Sequence, residues 1–137
     1  MNDVVLPVIA LDHVGIAAYP DELSLAELIG GGTASPLEMP SGVSVGRFGP
    51  GAALELVTST REGSPLERFL ATRGPGLHHI ALRVDEPLSQ LLPRLEAAGL
   101  RVVGGIEPSS DGRPSFFLHP SSAGGVLVEL VEGPRRS

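Results

Sequence analysis

The chain has 137 residues, 42% hydrophobic and 19% charged, which is enough apolar material for one ordinary domain and too much for a disordered chain. A net charge of -6, with aromatic residues at 4% and no Trp, excludes a broad phosphate-backbone surface and a stacking platform for single-stranded nucleic acid. Cys and Lys are both absent, which excludes disulfides, thiolate chemistry, a Lys Schiff base and a Walker-type lysine, and no run of 18 apolar residues is present to span a membrane.

In chain order, Leu11–Ala17 alternates in the manner of a strand. Asp21–Ile29 then predicts a short helix ending at Gly30. The segment Ala34–Met39 is expected to be irregular. Strands are predicted over Val43–Phe48 and Ala52–Thr58, divided by the turn Gly49-Pro50-Gly51. Ser64 is placed to cap a helix Pro65–Ala71, with Pro65 at its first position. A further strand follows around His79–Val84, then a helix Glu86–Ala98 stopped by Gly99. Three further strands are predicted over Arg101–Gly104, Pro114–His119 and Val126–Glu132. Gly30-Gly31-Gly32 is not a phosphate loop, because no Lys follows it, and Arg135-Arg136 reads as a frayed end.

The two halves repeat. Leu11-Asp12-His13-Val14-Gly15-Ile16-Ala17 matches Leu77-His78-His79-Ile80-Ala81-Leu82-Arg83, and Ala53-Leu54-Glu55-Leu56-Val57 matches Leu127-Val128-Glu129-Leu130-Val131. The expected fold is α+β: two βαβββ modules pairing around a shared metal-binding cleft. Module one covers about 7–59, a linker helix about 64–71 and module two about 76–132, all within a single domain 1–137.

Strand alternation sets His13, Glu55, His79 and Glu129 on faces away from the main apolar rows. Two neutral imidazoles and two carboxylates carry a charge of about -2, which matches a divalent cation, and leave open positions on an octahedral ion. Mixed N/O donors suit Co, Mn, Ni, Fe or Zn without deciding among them. A lone His or Glu on a strand is ordinarily a satisfied polar residue; the doubled pattern is what favours a metal site. Arg47 and Arg113 are candidates for a carboxylate or phosphate, and His119 for the edge of a substrate site. Asp12 and His78 should point away from the ligands.

At these residues the sequence resembles the vicinal oxygen chelate superfamily, which includes glyoxalase I, ring-cleaving dioxygenases and antibiotic-resistance proteins. Within it the chain is most similar to the methylmalonyl-CoA epimerases. The signals are Leu11–Ala17, Ser64-Pro65-Leu66-Glu67-Arg68-Phe69-Leu70, Gly76-Leu77-His78-His79-Ile80-Ala81, and Phe117-Leu118-His119-Pro120-Ser121-Ser122 running into Gly124–Val131. His13, His79 and Glu129 fall on the family's ligand positions, and Glu55 on a position that is Gln or Glu.

The resemblance implies a metal-dependent epimerase on an acyl-CoA; a homodimer is expected, and composition and charge add the expectation of a cytoplasmic protein acting without nucleic acid or membrane. The reaction would remove the α-proton of methylmalonyl-CoA through a metal-stabilised enolate, with Glu129 as one acid/base group. A second Glu of some epimerases is here Val45, which leaves Glu55, Glu38 or a bound water in its stead. Ser121 stands where a basic residue often follows His-Pro, and joins Arg47, Arg113 and His119 as a substrate-binding candidate. The alternatives are a glyoxalase I-like lyase acting on a glutathione hemithioacetal and a non-catalytic small-molecule-binding protein of the same fold.

Overall fold

A computed structural model describes residues 4–29 and 37–133. The expectations for Gly30–Gly32, Ala34–Pro36 and Arg135-Arg136 lie outside them. The chain forms two compact units, one running His13–His78 and the other combining the chain up to Asp12 with everything from His79 on. The division falls inside the first strand, β1 (Val8–Ala17), whose early part belongs with the later half of the sequence. There the Pro7 carbonyl accepts a hydrogen bond from the Asp85 amide at 3.1 Å.

The His13–His78 unit contains the end of β1, α1 (Leu25–Ile29), β2 (Leu37–Met39), β3 (Val43–Phe48), β4 (Leu54–Ser59) and α2 (Pro65–Arg73). Its strands lie in the order β2-β3-β4-β1, with β1 parallel to β4 and the other pairs antiparallel. The other unit contains β5 (Gly76–Val84, from His79 on), α3 (Leu88–Ala97), β6 (Val102–Pro108), β7 (Pro114–Leu118) and β8 (Val128–Glu132). Their order is β5-β8-β7-β6, with β5 parallel to β8. Each half is therefore strand, helix, then three antiparallel strands, the last returning beside the first: the predicted βαβββ module.

Several boundaries differ from expectation. The first helix begins at Leu25, because Pro20, Asp21 and Glu22 form a turn closed by the Glu22 amide on the Tyr19 carbonyl. Leu37–Met39 is a strand, paired through Leu37 with Val45 and through Met39 with Val43. The strand β6 runs to Pro108 as a mostly exposed edge, irregular in register between Val103 and Glu107, where Gly104 takes a positive φ of 69°.

The helix α2 does more than connect the halves. Leu66 and Leu70 are buried against Ala17, Val45 and Val57, so this helix covers the sheet of the His13–His78 unit, a task the five-residue α1 is too short to perform alone. Ser64 caps it as expected, its hydroxyl accepting from the Glu67 amide at 3.2 Å, while the Glu67 carboxylate reaches back to the Gly63 amide at 3.1 Å. In the other unit Leu88, Leu91 and Leu95, at helical spacing along α3, pack on Val84, Phe116, Leu118, Val128 and Leu130.

Candidate functional site

Each unit carries one buried His–Glu pair on neighbouring parallel strands. In the His13–His78 unit, Glu55 lies at the second position of β4, between Gly15 of β1 and Arg47 of β3. His13 is two residues before Gly15, hence on the same face. Its Nε2 stands 3.5 Å from Glu55 Oε1, with His13 1% and Glu55 4% exposed. In the other unit Glu129 occupies the matching position of β8, between Ala81 of β5 and Phe117 of β7. His79 Nε2 stands 3.5 Å from Glu129 Oε1, and both residues are buried. The Phe117 ring meets the His79 imidazole edge to face, at 5.5 Å between centroids.

The residues beside each carboxylate explain why it can be buried there. Gly15 and Ala81 are the smallest side chains available, so the strand next to each Glu does not crowd it. The face itself departs from expectation in one unit. Around His79 and Glu129 the main apolar row faces α3 on the reverse side of the sheet, as predicted. Around His13 and Glu55 the core residues Ala17, Val45 and Val57 share the face of the ligand candidates, because α2 packs on that side.

These pairs have the geometry of metal ligands. Two ligands about 2.1 Å from one ion stand about 3.0 Å apart in an octahedral and about 3.4 Å apart in a tetrahedral arrangement. The observed 3.5 Å in both pairs is close to these spacings and longer than a good hydrogen bond. Burying two carboxylates is costly unless a cation accompanies them, and mixed imidazole and carboxylate donors suit a divalent transition metal. The residues present fit such an ion.

The remaining candidates are placed as follows. Arg47 points at the half-site: its NH2 lies 2.9 Å from His13 Nδ1, its Nε 3.3 Å from Glu55 Oε2, and its NH1 donates to the Ala52 carbonyl at 2.9 Å. Cross-strand register alone could have found this contact, since Arg47 sits directly opposite Glu55. Arg113 is held by two carboxylates, Asp12 at 2.6 Å and Asp111 at 2.7 Å from its Nε. Burial pushes Asp111 up, but the hydrogen bonds from Arg113 and Ser109 outweigh it and hold this carboxyl at about 2. Asp12, expected to be solvated or a remote support, is a buried carboxylate that also pairs with Arg83 Nε at 3.1 Å. His119 caps the short turn Pro120–Ser122, its Nδ1 accepting from the Ser121 amide at 3.0 Å and lying 2.8 Å from the Ser121 hydroxyl. His78 leaves the face of His79 and meets Phe69 edge to face. Val45 is buried in the core, and Glu38 pairs with Ser44, so alternation puts it on the reverse face from Glu55.

Residues 12–117 match the family model of the glyoxalase/bleomycin resistance protein/dioxygenase superfamily. The chain is 38% identical over 130 residues to the ethylmalonyl-CoA/methylmalonyl-CoA epimerase of Cereibacter sphaeroides, a match covering 89% of this chain and 96% of that protein. Its fold is similar to the crystal structure of methylmalonyl-CoA epimerase from Mycobacterium tuberculosis, with a TM-score of 0.78 and 31% identity over 96% of this chain and 93% of the other. It is also similar to a methylmalonyl-CoA epimerase in complex with methylmalonyl-CoA and an ammonium ion, with a TM-score of 0.74 and 28% identity over 95% and 100% of the two chains. Carrying one buried His–Glu pair in each of two βαβββ modules, the chain belongs to the glyoxalase/bleomycin resistance protein/dioxygenase superfamily and, within it, to the family of the methylmalonyl-CoA epimerases.

Proposed function

We propose that this protein epimerises methylmalonyl-CoA by moving the α-proton of the thioester, and that His13, His79 and Glu129, whose ligand atoms could hold one metal ion, do so for the purpose with Glu55, which stands beside His13. The observation that carries the reading is the doubled, buried His–Glu pair in a chain that matches an epimerase over nearly that protein's whole length. When bound, the cation supplies Lewis acidity, stabilising the negative charge that the carbonyl oxygen gains as the proton leaves. Glu129 accepts and returns that proton at a carboxylate oxygen. Its strand holds it between Ala81 and Phe117, and the Phe117 ring, packed on His79, keeps water from that side. For the opposite face of the substrate, Val45 offers no base and Glu38 lies on the wrong side of the sheet, which leaves Glu55 as the carboxylate of its half.

Arg47, His119 and Ser121 are proposed as contacts to the substrate's anionic groups. Arg47, already held by His13 and Glu55, and Arg113, already paired with two carboxylates, contribute there only on exchanging one of those partners. A cytoplasmic homodimer completes the reading. The dimer is supported by the exposure of Val5, Ile9 and Leu11 in the first strand region.

Metal-loaded protein in deuterium oxide should exchange the α-proton of methylmalonyl-CoA and leave propionyl-CoA nearly unlabelled. The first compound offers a carboxylate and a carbonyl for two-point chelation, and the second only a carbonyl. Failure to exchange methylmalonyl-CoA, together with conversion of methylglyoxal and glutathione, would move the assignment to a glyoxalase-like lyase. Metal-loaded protein that performs neither reaction would be a binding protein of this fold.

A further inference from the structure

The two half-sites pair the same His and Glu beside a small residue and differ in chemical kind on the other side of the Glu. Glu55 is flanked by Gly15 and Arg47, and Glu129 by Ala81 and Phe117. Where one half presents an aromatic ring to its histidine, the other presents a guanidinium. That guanidinium is firmly held. Besides His13 and Glu55 it engages the carbonyl of Ala52, a non-glycine residue in the left-handed region at φ 53°, between which and β3 lie Gly49 and Gly51, both also at positive φ. A left-handed conformation is disfavoured for a residue that carries a Cβ.

A guanidinium carries donors only. At 2.9 Å from Arg47 NH2, His13 Nδ1 must therefore present its lone pair, and the neutral ring carries its proton on Nε2, facing Glu55. A ligating nitrogen needs a free lone pair, and metal-bound histidines ordinarily donate their other N–H to an acceptor. Arg47 has the opposite polarity: with it in place, Nδ1 is occupied and Nε2 is protonated. Its charge also neutralises Glu55 in advance and repels an incoming cation.

We infer that Arg47 is a resident counter-cation of the His13–Glu55 half-site, which must release His13 before that imidazole can ligate a metal, and which thereby sets how tightly the chain holds its divalent ion. The inference rests on the reading of His13 and Glu55 as metal ligands. The test is titration of the full-length, metal-free chain with Co²⁺ by calorimetry, comparing wild type with Arg47→Ala and Arg47→Gln. Arg47→Gln provides a carbonyl that can accept from Nδ1–H and keeps the side chain polar should the alanine variant fold poorly. Both variants should bind Co²⁺ more tightly by about tenfold or more, the scale of removing one nearby like charge. Long-range proton–nitrogen correlation spectra of the metal-free wild type should show His13 with its proton on Nε2, and Arg47→Gln should move that proton to Nδ1. Equal or weaker Co²⁺ binding in a folded Arg47→Gln protein, or a wild-type His13 protonated on Nδ1, would overturn the role of Arg47 and leave the metal reading standing. Absence of Co²⁺ binding in wild type and variants alike would bring down both.

Discussion

At the scale of single residues, the site depends on small neighbours as much as on ligands. Glu55 and Glu129 are buried because Gly15 and Ala81 stand beside them and leave room for a carboxylate on a crowded sheet. Glu129 is assigned two tasks, ligation and proton transfer, and a single substitution separates them. Glu129→Gln keeps a carbonyl oxygen that can ligate but loses the group that accepts a proton. Its exchange of the methylmalonyl-CoA α-proton should fall by about 10²–10⁴-fold, the usual worth of a general base. Its metal content, measured by atomic emission after dialysis, should stay above that of His79→Ala, which removes a donor altogether. Equal loss of metal in the two variants would show that Glu129 acts through ligation alone.

At the scale of elements, α2 is the piece whose role changes most between sequence and structure. Its capping signals are local and readable: Ser64, Pro65 and Glu67 specify where it starts. Its burial is not local, since Leu66 and Leu70 meet residues from three other elements. The cap matters to the sheet for this reason. The Ser64 hydroxyl is buried and lies 2.7 Å from the Ser59 hydroxyl at the end of β4, so it joins helix start to strand end. Ser64→Ala should lower unfolding free energy by about 1–2 kcal/mol, the upper part of the range for a lost N-cap, because it also removes the hydrogen bond to the Ser59 hydroxyl, which keeps only its bond to the Arg61 carbonyl. Urea titration followed by circular dichroism measures it, and an unchanged midpoint would show that the helix is held by its leucines alone.

At the scale of the whole molecule, the proposed metal would take ligands from separate halves of the sequence, so its binding should register in global stability. A ligand that binds only the folded state adds about 2.7 kcal/mol when present at a hundredfold excess over its dissociation constant. Thermal unfolding should therefore shift to higher temperature on adding Co²⁺ and return on adding a chelator. His79→Ala, lacking one donor, should show a smaller shift. An identical melting temperature with and without chelator would contradict a tightly held, folded-state metal.

The sequence by itself determined the duplication, and with it the candidate His–Glu pairs. Repeated His and Glu blocks, alternation within strands and the Ser-Pro start of α2 are local patterns, and the structure reproduces the βαβββ order they imply. What the tertiary structure decided is which faces meet what. The strand Leu37–Met39 exists because β3 offers it an edge, and its own three residues carry too little pattern to announce it. The apolar face of the His13–His78 unit follows α2, a helix that starts after the last strand of that unit and packs on Ala17, Val45 and Val57. Arg47 becomes part of the His13–Glu55 pair through register between β3 and β4, and Arg113 is taken up by Asp12 from the far end of the chain. Hydrophobic periodicity reports whether a residue is buried, whereas hydrogen-bonded register and long-range charge pairing fix its partners, and these are properties of the assembled sheet.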